Sequence, residues 1–282
     1  MLNASIVLYN SSVDQVRTVC ASLLEAACIK NIYLIDNSPV ETVLDMDQGV
    51  FADKKIQYLW NEGRNLGYGR AHNIALRESV WQKTKYHLVL NPDIELRGED
   101  IDKLYAFMEH NGTVGCLMPR VVYPNGKLQY LCKLLPTPID MLMRRFMPKR
   151  WGRKRNARYE MRHSNYDKMM NVPALSGCFM FLRTRAALEA RLFDERYFMY
   201  AEDVDLTRMI HRNWLTLYIP DITIVHFHAR GSYKDLQLLW THCVNMCRYF
   251  NKWGWWRDRE RDMVNRLAET QFETLEEDDG KD

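Results

Sequence analysis

Apolar blocks of two kinds alternate along the first 120 positions of the chain. Short runs such as SIVLYN, NIYLID and HLVLN have the length and composition of buried strands. Longer segments between them, such as VDQVRTVCASLLEAA and EDIDKLYAFMEH, place apolar residues at helical spacing. This alternation predicts an α/β fold, in which helices flank a mostly parallel, Rossmann-like sheet.

The pattern changes beyond residue 120. Prolines, methionines and basic residues crowd positions 133–168, which we interpret as an insertion. An apolar strand and helix follow it, then a long strand near residues 215–228 and a tryptophan-rich helical stretch. We therefore predict one domain over 1–235, made of two halves, 1–120 and 121–235. A C-terminal helical segment, 236–270, and an acidic disordered tail, 271–282, complete the chain.

Polar side chains stand where each of the first four predicted strands ends. Pro92, which cannot donate a ladder hydrogen bond, stops the fourth strand. The polar residues at these ends are Tyr9, Asn10, Asp36, Asn37, Ser38, Asn61, Asn91 and Asp93. Ligands of open α/β sheets bind outside the carboxyl ends of the strands, so these residues predict a single ligand site.

Two common nucleotide-binding classes do not fit. A Rossmann dehydrogenase needs a glycine-rich turn directly after its first strand, but residues 9–13 contain no glycine. The GxG at Gly67 and Gly69 lies two strands later and lacks the third glycine. The GxxxxGK[ST] sequence of a P-loop is also absent.

Composition favours a cytoplasmic protein. The seven cysteines of the 282-residue chain have scattered spacings and form no disulfide framework. Cys243 and Cys247, beside His242, fit a small buried apolar pair better than a metal site. The first strand begins within a few residues, which leaves no room for a signal peptide, and no apolar run is long enough to span a bilayer.

Six motifs occur in the order seen in inverting family 2 glycosyltransferases of the GT-A fold. They are SIVLYNS, YLIDNS, NEGRNLGYGRAHNIAL, LNPDIEL, SGCFMFLR and FMYAEDVDL. The resemblance covers roughly residues 3–235, with 1–120 as the nucleotide-sugar half and 121–235 as the acceptor half, and it is to rhamnosyltransferase-like members in particular. The resemblance implies a GT-A fold and transfer of a sugar from a nucleotide-sugar donor.

The residues after the first two strands would then bind the nucleoside. The resemblance implies that Asp36 and Tyr9 recognise the base, with Asn10 and Asn37 beside them. A carboxylate can accept the imide N–H of uracil or thymine, and an aromatic ring can stack on either base. The same polar residues also fit an Asx turn at a strand end, so that alternative stays open.

The glycine-containing loop would approach the donor phosphates or sugar. Asn65, Gly67 and Asn73 match the family's NxGxGxxxN pattern, and Arg70 could add positive charge. Glycine lets a backbone come close to a ligand, and a helix N-terminus favours anionic groups. A glycine turn leading into a capped helix is the structural alternative.

The resemblance also implies a Mg²⁺ or Mn²⁺ site. Asp93 stands where the family has the last acid of its DXD motif, whereas Asn91 replaces the first acid and would bond a ribose or sugar hydroxyl. His226 would contact the metal or diphosphate, assisted by Arg230 or Ser232. A core histidine is the alternative for His226.

The family places its general base in the acidic group after FMY. We assign this role to Asp203 and place Glu202 in the donor site. Asp205 points elsewhere, because helix positions two apart do not share a face. Ser176 and Gly177 would lie near the donor sugar and the acceptor. Direct displacement, again implied by the resemblance, inverts the anomeric configuration.

A basic run suggests a membrane partner. Residues 144–158 carry eight basic residues and no acidic one, next to the apolar segment 139–143. Anionic lipid at the inner face of the cell membrane is our preferred partner, with a solvated loop as the alternative. Trp253, Trp255 and Trp256 fit an interfacial cluster or a core equally well. We expect no nucleic acid partner, because no recognition motif accompanies the charge.

The predicted activity is therefore transfer of a sugar, with rhamnose a candidate, from a dTDP- or UDP-sugar to a glycan or lipid-linked acceptor in surface polysaccharide synthesis. A non-catalytic nucleotide-binding protein is one alternative, supported by the replacement at Asn91. A nucleotidyltransferase is another, although its usual glycine- and Lys/Arg-rich loop after the first strand is missing.

Overall fold

The computed structural model describes residues 1–42, 48–146, 149–227 and 236–272. Within these ranges the strands are β1 (Leu2–Leu8), β2 (Ile29–Asp36), β3 (Ile56–Trp60), β4 (Tyr86–Leu90), β5 (Ile94–Glu95), β6 (Val114–Val122), β7 (Met170–Asn171), β8 (Phe179–Arg183) and β9 (Leu215–His226). The α-helices are α1 (Val13–Glu25), α2 (Tyr68–Trp81), α3 (Gly98–His110), α4 (Pro138–Phe146), α5 (Lys149–Tyr159), α6 (Thr184–Glu189), α7 (Glu202–His211), α8 (Leu236–Trp253) and α9 (Arg259–Thr270).

The described strands form one mixed sheet in the order β3-β2-β1-β4-β8-β6-β9-β5, and β7 pairs with β9. Strands β1 to β4 are parallel, as are β6 and β9, whereas β8 lies antiparallel between β4 and β6. The predicted α/β fold, in which helices flank the sheet and a helical extension follows it, is confirmed. Among the described strands the sheet is mixed, with four parallel and four antiparallel strand pairings, because β8 lies antiparallel between β4 and β6 and the short strands β5 and β7 pair antiparallel with β9.

Opposite faces of the sheet carry different helices. Alternate residues of a strand point to opposite faces, so on β2 Leu34 joins the cluster containing α1, whereas Tyr33 and Ile35 pack with α2. Strands β4 and β8 are buried at every position, including His87 and Arg183 in their otherwise apolar sequences. Because β1 to β4 are parallel, their carboxyl ends lie together at the same end of the strands.

The C-terminal helices pack on the domain. Tyr249 and Phe250 of α8 are buried in a cluster with Tyr197 and Ala201, just before α7. Gly254, with φ +107°, ends α8, so the single helical stretch predicted from the sequence is two helices. Trp253 packs in this region, whereas Trp256 is 68% exposed. Within the described ranges every helix is too short or too polar to cross a bilayer.

Candidate active site

Asp36 is fully buried at the end of β2. Its carboxylate accepts hydrogen bonds from the Ser38 N–H (2.8 Å), the Thr42 N–H (2.9 Å) and the Tyr58 hydroxyl (2.7 Å). Burial favours the neutral acid, but these bonds outweigh it and lower the pKa of Asp36 below its ordinary value. Asp36 is fully buried, so its predicted contact with a nucleobase requires the residues that cover it to move.

The other polar residues of the first three strand ends lie together. The Asn37 amide donates to the Gly67 carbonyl (3.2 Å) and accepts from Asn61 (2.7 Å). Asn10 has a left-handed backbone, φ 50°, and its N–H donates to the Ser38 hydroxyl (2.8 Å). Tyr9 is 53% exposed beside them. The ring of Tyr9 is therefore accessible to a ligand such as a nucleobase.

The glycine loop joins this cluster to α2. Gly67 has φ +82°, and a Cβ there would clash with the Phe198 carbonyl, so both its conformation and its surroundings require glycine. The Asn65 carboxamide accepts from the Gly67 N–H (3.0 Å), and the Tyr68 N–H donates to the Phe198 carbonyl (2.9 Å). The first turn of α2 is thereby fixed against the segment before α7.

Asn73 and Arg70 do not reach the strand ends. The buried Asn73 carboxamide accepts from the Phe193 N–H (3.0 Å) and donates to the Phe193 carbonyl (2.9 Å). The exposed Arg70 side chain lies 3.6 Å from Glu195. For Asn73 this structural role replaces the predicted donor contact, because its amide is engaged within the fold.

Asp93 and His226 meet at the ends of β4 and β9. Asp93 Oδ1 lies 3.4 Å from His226 Nε2, and Asn91 Nδ2 lies 3.5 Å from the same nitrogen. Gln129 holds the other ring nitrogen at 3.0 Å. Burial by itself would lower the pKa of His226, but the bond to Asp93 and the neighbouring Cys178 thiol raise it to about 10.

This pair fits part of a divalent metal shell. Adjacent ligands of an octahedral Mg²⁺ or Mn²⁺ ion lie roughly 3 Å apart, close to the separation of Asp93 Oδ1 and His226 Nε2. His226 must lose its proton to bind metal, so the proton and the ion compete for Nε2. Among the described residues, no group of three or more His, Cys, Asp or Glu could hold an ion.

Asp203 lies in the first turn of α7. Its Oδ2 accepts from the Gly177 N–H (2.9 Å), and its Oδ1 accepts from the Val204 N–H (2.8 Å). Ser176, beside Gly177, accepts from the Cys178 N–H (3.4 Å). The adjoining Glu202 is buried, and burial, followed by the nearby charge of Asp203, raises its pKa to about 8. Asp203 of the FMYAEDVDL motif and Gly177 of the SGCFMFLR motif are therefore in contact.

Asp205 faces away from this group. It is buried, and its carboxylate binds the Lys252 ammonium (2.7 Å) and the Trp253 indole N–H (2.7 Å) of α8. Asp205 thus helps to hold α7 against α8.

Two connecting residues escaped the sequence analysis. The Tyr68 hydroxyl lies 2.6 Å from the Gly177 carbonyl and 3.1 Å from Asn91 Oδ1. The sequence feature that could have pointed to Tyr68 is its position between Gly67 and Gly69. Gln129, which orients His226, lies in no motif. Arg230 and Ser232, predicted to assist at the diphosphate, lie outside the described residues.

Comparison with known proteins identifies the family. Residues 5–189, more than half of the chain, match the family described as Glycosyl transferase family 2. The chain belongs to this family. Proteins similar to it include a mycobacterial and an archaeal enzyme.

Both relatives are similar over part of their length. The chain is 29% identical over 183 residues to N-acetylglucosaminyl-diphospho-decaprenol L-rhamnosyltransferase of Mycobacterium tuberculosis, covering 61% of this chain and 59% of that protein. It is 27% identical over 154 residues to the low-salt glycan biosynthesis hexosyltransferase Agl10 of Haloferax volcanii, covering 53% and 44%. The chain thus spans about half to three fifths of these relatives.

Solved glycosyltransferases share the fold. GalNAc-T7 with UDP, GalNAc and Mn²⁺ aligns with a TM-score of 0.61 at 16% identity, covering 90% of this chain and 48% of that one. TarS 1–349 of S. aureus with UDP-GlcNAc gives 0.58 at 13%, covering 94% and 70%. The mannosyltransferase PcManGT of Pyrobaculum calidifontis with GDP-Man and Mn²⁺ gives 0.55 at 13%, covering 95% and 69%.

Proposed function

We propose that this protein is a metal-dependent, inverting glycosyltransferase. It moves a sugar from a dTDP- or UDP-sugar to a hydroxyl of a glycan or lipid-linked acceptor in surface polysaccharide synthesis. Family membership supports the reaction class, and the M. tuberculosis relative makes rhamnose the first sugar to test and a lipid-linked glycan the first acceptor. The metal is Mg²⁺ or Mn²⁺.

The observation that carries this proposal is a continuous line of contacts across the site. Gly177 binds the carboxylate of Asp203, Tyr68 binds Gly177 and contacts Asn91, and Asn91 approaches the metal-binding pair at the ends of β4 and β9. These contacts link Asp203 to Asp93 and His226, which supports the proposal that a base and metal ligands act on the same substrate.

In the proposed mechanism Asp203 is the general base. As the acceptor hydroxyl oxygen attacks the anomeric carbon, the Asp203 carboxylate takes its proton, and the bond to the nucleoside diphosphate breaks on the opposite side. Asp93 and His226 would hold the divalent ion, which neutralises charge on the departing diphosphate. Tyr9 stacks on the base, while Asp36 fixes the segment 38–42 at the edge of the base site.

Substitution of Asp203 and Asp93 tests the two roles separately. We expect dTDP or UDP with Mn²⁺ to raise the melting temperature of the wild type, because a ligand of the native state stabilises it. Asp93→Asn should abolish the metal-dependent part of this shift. Asp203→Asn should keep the shift but lose sugar transfer by about 10²–10⁴-fold, the usual contribution of a general base.

Other results would favour the alternative functions. Stabilisation by nucleotide without transfer to any acceptor would indicate a non-catalytic binding protein. Preference for a nucleoside triphosphate, with release of pyrophosphate, would indicate a nucleotidyltransferase. Unchanged transfer by Asp203→Asn would contradict the assignment of the base.

We propose the cytoplasmic face of the cell membrane as the place of action. Ile139 and Leu142 of α4 are 43% and 55% exposed. On α5, Arg150, Arg153 and Lys154 are exposed and have no acidic partner among the described residues. Apolar and cationic side chains on one helical hairpin suit the surface of an anionic bilayer.

A further inference from the structure

The Tyr68 hydroxyl faces two acceptors but carries one proton. The Gly177 carbonyl, at 2.6 Å, is closer than Asn91 Oδ1, at 3.1 Å. Turning the Asn91 amide by 180° preserves its shape and directs its NH₂ group at the phenol oxygen. Tyr68 then donates to Gly177 and accepts from Asn91, while Asn91 Oδ1 faces His226 Nε2 and accepts from it when that nitrogen carries a proton.

Gly177 fills the space between Tyr68 and Asp203. A Cβ on Gly177 would lie 3.3 Å from Asp203 Cβ and 3.3 Å from Tyr68 Cε1. The Gly177 N–H donates to Asp203 Oδ2 at 2.9 Å. Gly177 is thus bonded through its carbonyl to Tyr68 and through its N–H to Asp203.

We propose that Tyr68 is a positioning residue for the general base. Its hydroxyl fixes Gly177, and the N–H of Gly177 in turn fixes the orientation of the Asp203 carboxylate. The catalytic meaning of this arrangement rests on the proposed glycosyltransferase function. An amide at Asn91, where the family has an acid, completes the arrangement by donating to the phenol.

The environment of Tyr68 suits a fixed donor. Burial, with a further contribution from nearby anionic groups, raises the pKa of Tyr68 well above its ordinary value, so the phenol keeps its proton. Its backbone N–H is bonded to the Phe198 carbonyl, and its ring packs edge-on against His72 with 4.4 Å between centroids. The hydroxyl therefore has little freedom to leave the Gly177 carbonyl.

The variant Tyr68→Phe tests this proposal, with Tyr86→Phe as the matched control. The Tyr86 hydroxyl also lies against a backbone carbonyl, that of Met108 (3.0 Å). Tyr86 is fully buried, whereas Tyr68 is partly buried, and Tyr86 begins β4, at the end of that strand away from Asn91. In Tyr68→Phe we expect kcat to fall about tenfold to a hundredfold through misplacement of the base, with the donor KM within about twofold of wild type. Tyr86→Phe should keep the wild-type kcat.

Hydrogen exchange gives a second readout on the full chain. Loss of the phenol bond should make the Gly177 amide exchange about tenfold faster in Tyr68→Phe, since one hydrogen bond contributes on this order. The same amide should be unaffected in Tyr86→Phe. Exchange at Gly177 reports on the bond to Asp203 whether or not a substrate has been found.

Each other result overturns the proposal or separates it from the proposed function. Unchanged kcat in Tyr68→Phe, or a raised donor KM at unchanged kcat, would overturn it. Equal losses in both variants would indicate general destabilisation and would also overturn it. If the wild type transfers no sugar, the proposed function fails, and the exchange of Gly177 alone then decides whether Tyr68 positions Asp203.

Discussion

At the scale of single residues, Gly177 is closely packed between Asp203 and Tyr68. In Gly177→Ala the new methyl group would lie 3.3 Å from Asp203 Cβ, closer than an ordinary contact, so the base must shift. We expect kcat to fall by at least about tenfold, because small displacements of catalytic groups cost large factors in rate.

Steady-state transfer measurements would check this prediction. Gly112→Ala is the control, since a Cβ at the exposed Gly112 meets nothing within 4 Å. Equal rates for Gly177→Ala and the wild type would contradict the close packing of Gly177 on Asp203.

Glu202 makes stability depend on pH near neutrality. Because its pKa is raised from 4.5 to about 8 in the folded protein, its contribution is present below pH 4.5 and is lost as the pH rises towards 8. Glu202→Gln lacks this titration, so its free energy of unfolding relative to wild type should rise across that interval by at least about 1 kcal/mol. Urea unfolding at several pH values measures the difference, and a difference independent of pH would contradict it.

The sequence predicted the placement of some site residues and missed that of others. Helix geometry correctly predicted that Asp205 would not share the position of Asp203. The pattern around Asn73 could not reveal that its amide binds a backbone 120 residues away. Tyr68 was missed for a related reason, since its partner at Gly177 comes from a distant loop. Local patterns carry periodicity, whereas these contacts depend on tertiary packing.

At the scale of elements, an ionic cluster joins α7 to the start of α9. Arg208 is buried, forms a bidentate pair with Asp258 (2.8 Å for both bonds) and also binds Glu260 (2.9 Å). Asp258 caps α9 by accepting from the Arg261 N–H (2.9 Å). The helix that carries Asp203 is therefore tied to the C-terminal extension.

Arg208→Met should destabilise the protein by about 3–5 kcal/mol, because it leaves the Asp258 carboxylate buried and unpaired. Arg185→Met, which breaks an exposed pair with Glu189 on α6, is the control and should cost less than about 1 kcal/mol. Equal midpoints in urea for the two variants would contradict the importance of the buried cluster.

Most elements followed from the hydrophobic pattern, but their directions did not. The apolar run of β8 looks the same whichever way the strand runs, so its antiparallel place beside β4 could not be read from it. Pro119 lies inside β6 next to a register shift, which accommodates a residue that cannot donate to the ladder. The two-residue strands β5 and β7 are too short to leave a periodic signal.

At the scale of the whole molecule, the α4–α5 hairpin should determine lipid binding. We expect the wild type to sediment with anionic liposomes at low salt and to be released at high salt. Reversing Arg150, Arg153 and Lys154 to Glu should lower the partition coefficient by about a hundredfold or more, since each basic residue contributes about 1 kcal/mol near such a surface.

The matched control reverses three exposed lysines elsewhere, Lys54, Lys83 and Lys127, and so makes the same change in net charge. This control should bind lipid much more tightly than the α5 variant. Equal losses would show that net charge alone drives binding. If the wild type bound duplex DNA and did not bind liposomes, the choice of anionic lipid as the partner would be contradicted.

The bonds between α2 and the segment 193–198 limit how this protein could be recombined. The Tyr68 N–H binds the Phe198 carbonyl, and the Asn73 side-chain amide binds the Phe193 backbone. At position 67 only glycine fits against the Phe198 carbonyl. A chimera that took its first 120 residues from one family member and the remainder from another would pair a helix with a foreign loop. We therefore expect a chimera to acquire the donor preference of one relative only when α2 and the segment 193–198 both come from that relative.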